Sequence, residues 1–150
     1  MVSILFVCFG NICRSPMAEL VMKDLVKKAG RAEEFTIASA AVSSEEVGNP
    51  VYPPARRKLA EHGIRCEGKT ARRMTQADYG RYDLLIGMDE GNLRWMRRIC
   101  GGDPEGKIHL LLEYTGENRE VADPWYTWDF EQTWQDVERG CTALLKQLTE

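Results

Sequence analysis

Residues Ile4 to Val7 form an apolar run with no polar alternation, and the chain returns to that pattern with helix-like stretches in between. A strand exposed on one face alternates, whereas a strand covered on both faces does not, so such a run belongs inside a sheet packed on each side. Gly10 and Asn11 follow as turn residues. Ser15 with Pro16 then predicts a helix start, because Ser caps free amides and Pro fits the first turn. Ala18, Val21, Met22 and Leu25 mark one apolar stripe that ends near Gly30. Phe35 to Ala41 reads as a second strand, Ser43 to Pro54 as a polar loop, and Ala55 to His62 as a helix stopped by Gly63. Thr75 with Asp78 predicts a capping box on a short helix, and Asp83 to Met88 a third strand. Asp89 should cap the next helix, which carries Leu93, Met96 and Ile99 and closes at Gly101 and Gly102, before a fourth strand at Ile108 to Leu112. In the tail, Phe130, Trp134, Val137, Cys141, Leu144 and Leu148 recur at helical spacing and predict a core-facing helix. Strands alternating with helices imply an α/β fold: one domain over 1–150, a doubly wound four-stranded parallel sheet flanked by helices. Such sheets bind ligands beyond the carboxyl ends of their strands, where Cys8 falls.

Composition narrows the function. A chain of 150 residues suffices for one domain with a real core. A net charge of −3 argues against a protein that grips nucleic-acid backbones. The apolar run Val2 to Phe9 is too short to span a bilayer, so no membrane partner is expected. Five cysteines, odd in number and without regular spacing, suggest reduced thiols and a cytoplasmic location. No paired ligands stand at zinc spacing, so a zinc site is not expected. A cysteine protease lacks its imidazole, since His62 reads as a helix-end residue and His109 as part of a strand.

The segment Cys8, Phe9, Gly10, Asn11, Ile12, Cys13, Arg14, Ser15 separates a cysteine from an arginine by five residues, the spacing of a phosphate-binding nucleophilic loop. Cys66 and Arg72 share that spacing. Yet no apolar strand precedes Cys66 and no Ser-Pro pair opens a helix after Arg72, so context selects Cys8. Backbone amides in a loop that enters a helix converge on one point, and the helix dipole favours negative charge there. An oxyanion such as phosphate fits that point, and the same field favours a thiolate. Arg14 can hold two phosphoryl oxygens through its planar fork. Gly10 allows close backbone approach, Asn11 can brace the loop in a left-handed conformation, and Ser15 can donate to the sulfur. The plainer reading of Cys8 is a buried free cysteine at a strand end. A phosphoryl-cysteine mechanism also needs an acid for the leaving oxygen and a base for water. Asp123, extended before Pro124 and followed by Trp125 and Tyr126, is the candidate, with rings that can grip a phenyl group. Its plainer reading is an Asp-Pro turn, and that of Trp125 and Tyr126 a loop anchoring itself to the core.

The run from Val7 through Pro16, Met17 and Ala18, together with Asp123, Pro124, Trp125 and Tyr126, resembles the low-molecular-weight protein tyrosine phosphatases. His62, Gly63 and Ile64, the pair Ala71 and Arg72, and Met88, Asp89, Glu90, Asn92 and Leu93 are similar too, so the resemblance covers essentially the whole chain. It implies a cysteinyl-phosphate mechanism without metal or cofactor, with Cys8 as nucleophile, Arg14 on the phosphate, and Asn11 and Ser15 organising the loop. Asp123 would act as general acid and then base. Phe9, Gly10, Ile12 and Cys13 would complete the phosphate loop, and Cys13 would pair with Cys8 on oxidation or serve as a small side chain packed beneath the loop. The implied partner is a tyrosine-phosphorylated protein, such as a bacterial tyrosine kinase, with the enzyme a monomer or weak dimer.

Three positions depart from the family pattern. Lys69 stands where many members have a His that bonds the loop Asn, which leaves loop rigidity open. Glu45 or Glu46 falls where some members place a hydrophobic wall of the cleft, so acidic substrates should be disfavoured. Thr127, Trp128 and Asp129 follow Tyr126 without the usual glycine, so a shorter or stiffer acid loop is expected, with Trp128 lining the cleft or packing. Alternatives on the same fold are an arsenate reductase, for which Cys66 and Cys100 make poor relays, and a protein-arginine phosphatase, which tends to carry Thr where this chain has Ile12. A phosphotyrosine-binding module without turnover is disfavoured by intact Cys8, Arg14 and Asp123.

Overall fold

The computed structural model describes residues 1–150. Strand β1 (Val2–Cys8) lies between β2 (Phe35–Ala41) and β3 (Leu84–Gly87), and β4 (Ile108–Leu110) lies beyond β3. The order is β2-β1-β3-β4 and every pair is parallel, with Ile4 opposite both Ile37 and Leu84. Ile4, Leu5, Phe6 and Val7 are all buried, and the reason is visible in where each one points. Ile4 and Phe6 join a core with Met17, Met22, Val137 and Leu144, whereas Leu5 and Val7 join a second core with Met74, Leu93 and Met96. Successive strand residues thus feed opposite layers, and both layers are apolar. Full burial of such a side chain is worth about 1.5–3 kcal/mol.

The first layer holds α1 (Arg14–Lys28), α2 (Pro53–Glu61) and α6 (Phe130–Thr149). The second holds α3 (Ala77–Arg81) and α4 (Glu90–Cys100). A one-turn helix, α5 (Pro124–Thr127), precedes α6. The anticipated tail helix is present, with Phe130, Trp134, Val137, Cys141 and Leu144 buried. Asp89 caps α4 as expected, in a box with Asn92, and Gly101 ends that helix in the left-handed conformation at φ 76.

Other expectations need correction. Ser15 is not the cap of α1: Cys13 occupies that place without a side-chain cap bond, and the Ser15 hydroxyl turns toward Cys8 instead. β4 stops at Leu110, because Leu111–Thr115 coil into a 3₁₀ turn under α6. The helix expected from Ala55 begins at Pro53, where proline is tolerated in the first turn. At Thr75 only half a box forms: its amide donates to Asp78 Oδ2 at 2.8 Å, and α3 starts later, at Ala77.

Candidate active site

β1 ends at Cys8, and seven residues on, inside the first turn of α1, Ser15 brings its Oγ to 3.0 Å from Cys8 Sγ. The Asn11 backbone N–H also donates to that sulfur, at 3.3 Å. Asn11 achieves this at φ 62, one of two residues other than glycine with positive φ, and its side chain explains how. Its Oδ1 accepts from the Arg72 amide at 3.1 Å, and its Nδ2 donates to Ser15 Oγ at 2.8 Å and to Ser39 Oγ at 2.9 Å. Because Asn11 fills an acceptor site on Ser15, the Ser15 hydrogen is left for Cys8 Sγ at 3.0 Å or the Ala40 carbonyl at 3.5 Å. Distance favours the sulfur.

Behind Ser39 sits Glu19, 5% exposed, whose Oε1 accepts from Ser39 Oγ at 2.6 Å. Lys69 and Lys23 neutralise it at 2.9 and 2.7 Å. Burial works against the Glu19 charge, but the bonds from Lys23, Ser39 and Lys69 outweigh it, and the carboxyl lies below its ordinary value. Lys69 therefore does not bond Asn11: it holds Glu19, which holds Ser39, which holds Asn11. The loop is braced through this relay and the Arg72 amide.

Arg14 is 2% exposed and sits in the first turn of α1. Its Nη1 donates to Asp89 Oδ2 at 2.8 Å and to the Val121 carbonyl at 2.9 Å, while Nη2 lies 3.4 Å from Asp123 Oδ2. Burial disfavours the guanidinium, yet Cys8, Asp123 and Asp89 raise its pKa above the ordinary value, so it stays charged. Burial, reinforced by Cys8 and Asp123, pushes the Cys13 thiol far up. Cys13 is thereby held as a neutral thiol.

Asp123 reaches the loop because Val121 is buried and its amide donates to the Met88 carbonyl, pinning the segment to the end of β3 at 2.9 Å. Asp123 is extended (φ −77, ψ 113) and caps α5, its carboxylate accepting from the Trp125 amide at 3.0 Å. Between this segment and the loop opens a cleft of about 140 Å³. It is lined by Cys8, Phe9, Gly10, Ile12, Cys13 and Arg14 of the loop, by Asp123, Trp125 and Tyr126, and by Glu45 and Glu46. A side chain at position 10 would meet Glu46 Cγ at 3.3 Å, which is why glycine fits where the acidic wall crosses the loop.

The candidate residues are thus brought together, in two tiers. Asn11 and Ser15 do not line the cleft but lie buried beneath it, as braces rather than walls. Trp128 does not line it either: its ring packs against Tyr52 and Phe130 at centroid distances of 6.4 and 6.0 Å. Both Glu45 and Glu46 line it. Sequence reasoning missed Asp89 and the Val121 carbonyl as anchors of Arg14, and Ser39 and Glu19 as braces. Asp89, at the carboxyl end of β3, carried a positional signal, whereas a strand serine such as Ser39 carries none. No group of three or more His, Cys, Asp or Glu is placed to hold a metal ion. A buried sulfur with two donors, a charged guanidinium and a carboxyl group lining one cleft suit attack on an anionic centre with proton delivery to the leaving group.

The family model described as "Low molecular weight phosphotyrosine protein phosphatase" matches residues 3–150. The chain is 37% identical to the low molecular weight protein-tyrosine-phosphatase YfkJ of Bacillus subtilis, over 99% of this chain and 96% of that one. The crystal structure of YfkJ superposes with a TM-score of 0.96, covering 99% of this chain and 95% of that chain. SP-PTP, a low molecular weight protein tyrosine phosphatase from Streptococcus pyogenes, gives 0.90 at 38% identity, covering 100% of this chain and 95% of that one. A Drosophila arginine phosphatase also gives 0.90, at 27% identity and with 98% of each chain covered.

Proposed function

The chain belongs to the low-molecular-weight phosphotyrosine protein phosphatase family, and from that premise we propose that it hydrolyses phosphotyrosine in proteins through a cysteinyl-phosphate intermediate on Cys8. The thiolate attacks phosphorus and the bond from phosphorus to the phenolic oxygen breaks. Asp123 gives its proton to the departing oxygen. Asp123, now a carboxylate, takes a proton from water as that water attacks phosphorus. The sulfur–phosphorus bond breaks, phosphate leaves, and Ser15 donates to the sulfur that recovers its charge. Arg14 and the loop amides hold the phosphoryl oxygens through both steps. The observation that carries this reading is the single cleft in which Cys8 Sγ, with donors from Ser15 and Asn11, faces Asp123 across Arg14.

Trp125 and Tyr126, 48% and 82% exposed at the cleft, flank a substrate ring. A tyrosine kinase that carries its own phosphotyrosines is one substrate of the proposed class. Five free thiols support action in a reducing cytoplasm. We take the enzyme to be a monomer over one domain, with the exposed aromatics beside Asp123 the face for any weak self-association.

The test is steady-state hydrolysis of phosphotyrosyl, phosphoseryl and phosphoarginyl peptides by wild type, Cys8→Ser and Asp123→Ala. Phosphotyrosine should be preferred, Cys8→Ser should have no turnover, and Asp123→Ala should lose about 10²–10⁴-fold. Preference for phosphoarginine would move the chain to the arginine branch. Phosphate binding by an inactive wild type would make it a binding module.

A further inference from the structure

We propose that Tyr52 is a positioning residue for Asp123, fixing the segment that carries the acid relative to the loop that carries the nucleophile. The inference rests on Asp123 being the general acid. Tyr52 stands at the N-cap of α2, where Ser, Thr, Asp or Asn would satisfy a free amide, and makes no cap bond there. What it does instead is reach both halves of the site. Its backbone N–H donates to the Ile12 carbonyl at 2.9 Å, tying it to the phosphate loop. Its ring centroid lies 4.9 Å from that of Trp125, at a 54° tilt, and 6.4 Å from those of Trp128 and Phe130.

Those contacts matter because of what α5 holds. The Asp123 carboxylate takes its orientation from the Trp125 amide, and the ring of Trp125 leans on Tyr52. At the other end of α5, Trp128 adopts φ 57 without being glycine, and its ring is held by Tyr52 and Phe130. Both ends of the one-turn helix thus lean on the same ring, and the backbone of that ring's residue is bonded to the loop of Cys8. Proton transfer to a leaving oxygen depends steeply on distance, so a loosened α5 should cost proton delivery and leave phosphate binding intact.

The experiment compares kcat/KM for phenyl phosphate, whose leaving group needs a proton, with that for dinitrophenyl phosphate, whose leaving group does not. Wild type, Asp123→Ala, Tyr52→Ala and Tyr52→Phe are measured, with competitive inhibition by inorganic phosphate alongside. Tyr52→Ala should lose about ten- to a hundredfold on phenyl phosphate, stay within about twofold on dinitrophenyl phosphate, and keep its phosphate inhibition, with Tyr52→Phe restoring the loss. Equal losses on both substrates, or none, overturn the proposal while leaving Asp123 its role. Absence of any leaving-group dependence in Asp123→Ala overturns both readings. Should Tyr52→Ala not fold, Tyr52→Leu, which keeps bulk without the ring, is read by the same criteria.

Discussion

Asn11 is 1% exposed, left-handed, and bonded through every side-chain hydrogen-bonding atom it has. Its turn character was legible, because Asn tolerates positive φ better than any residue with a larger side chain. Its partners were not: Ser39 and the Arg72 amide lie 28 and 61 residues away, and no local pattern shows that they bond Asn11. The same distance hides Glu19, whose acidic side chain on α1 reads as surface until Lys69 and Ser39 close over it. Its carboxyl is lower in the folded protein than its ordinary 4.5, so the unfolded chain binds the proton more readily. The stability this confers is present above about 4.5 and is lost as pH falls through the lower folded value. Urea midpoints measured down the acid range should therefore fall more steeply for wild type than for Glu19→Gln, which should be less stable at neutral pH. Parallel curves would remove Glu19 from the account.

At the scale of elements, long apolar stripes read cleanly. The bounds of β2 match the expected Phe35 to Ala41, and α6 follows its stripe from Phe130. Two short elements did not, since α5 and the 3₁₀ turn at Leu111–Thr115 carry too few residues to show a period. The fit between that turn and α6 is close. A β-carbon on Gly140 would lie 2.5 Å from Leu111 Cγ and 2.9 Å from its Cδ1, so α6 gives up helix propensity to let the turn in. Gly140→Ala should destabilise the fold by about 1–3 kcal/mol net, although alanine favours helix by about 1 kcal/mol. Chemical denaturation of Gly140→Ala, Leu111→Ala and the double variant should show coupling, the double being more stable than the sum of the singles implies. Additive losses would mean that the turn moves aside freely.

For the whole molecule, the strand order places β1 and β3 side by side at the point where connections leave in opposite directions, and the site forms over their carboxyl ends. Cys8 ends β1, Asp89 follows β3, and Val121 is bonded to Met88 just beyond it, so Arg14 can join all three segments. The alternation of strands and helices made this architecture legible, and the Cys8 to Arg14 spacing with the segment Asp123 to Tyr126 made the site's members legible. It did not reveal that a buried arginine ties them together. The central claim is that phosphorus passes through Cys8. Wild type mixed rapidly with a phosphotyrosyl peptide, quenched in acid and digested, should yield a phosphoryl group that fragmentation places on Cys8 rather than Cys13, formed at least as fast as turnover and absent from Cys8→Ser. Turnover without such a species, or with the phosphoryl group on another residue, would contradict the account.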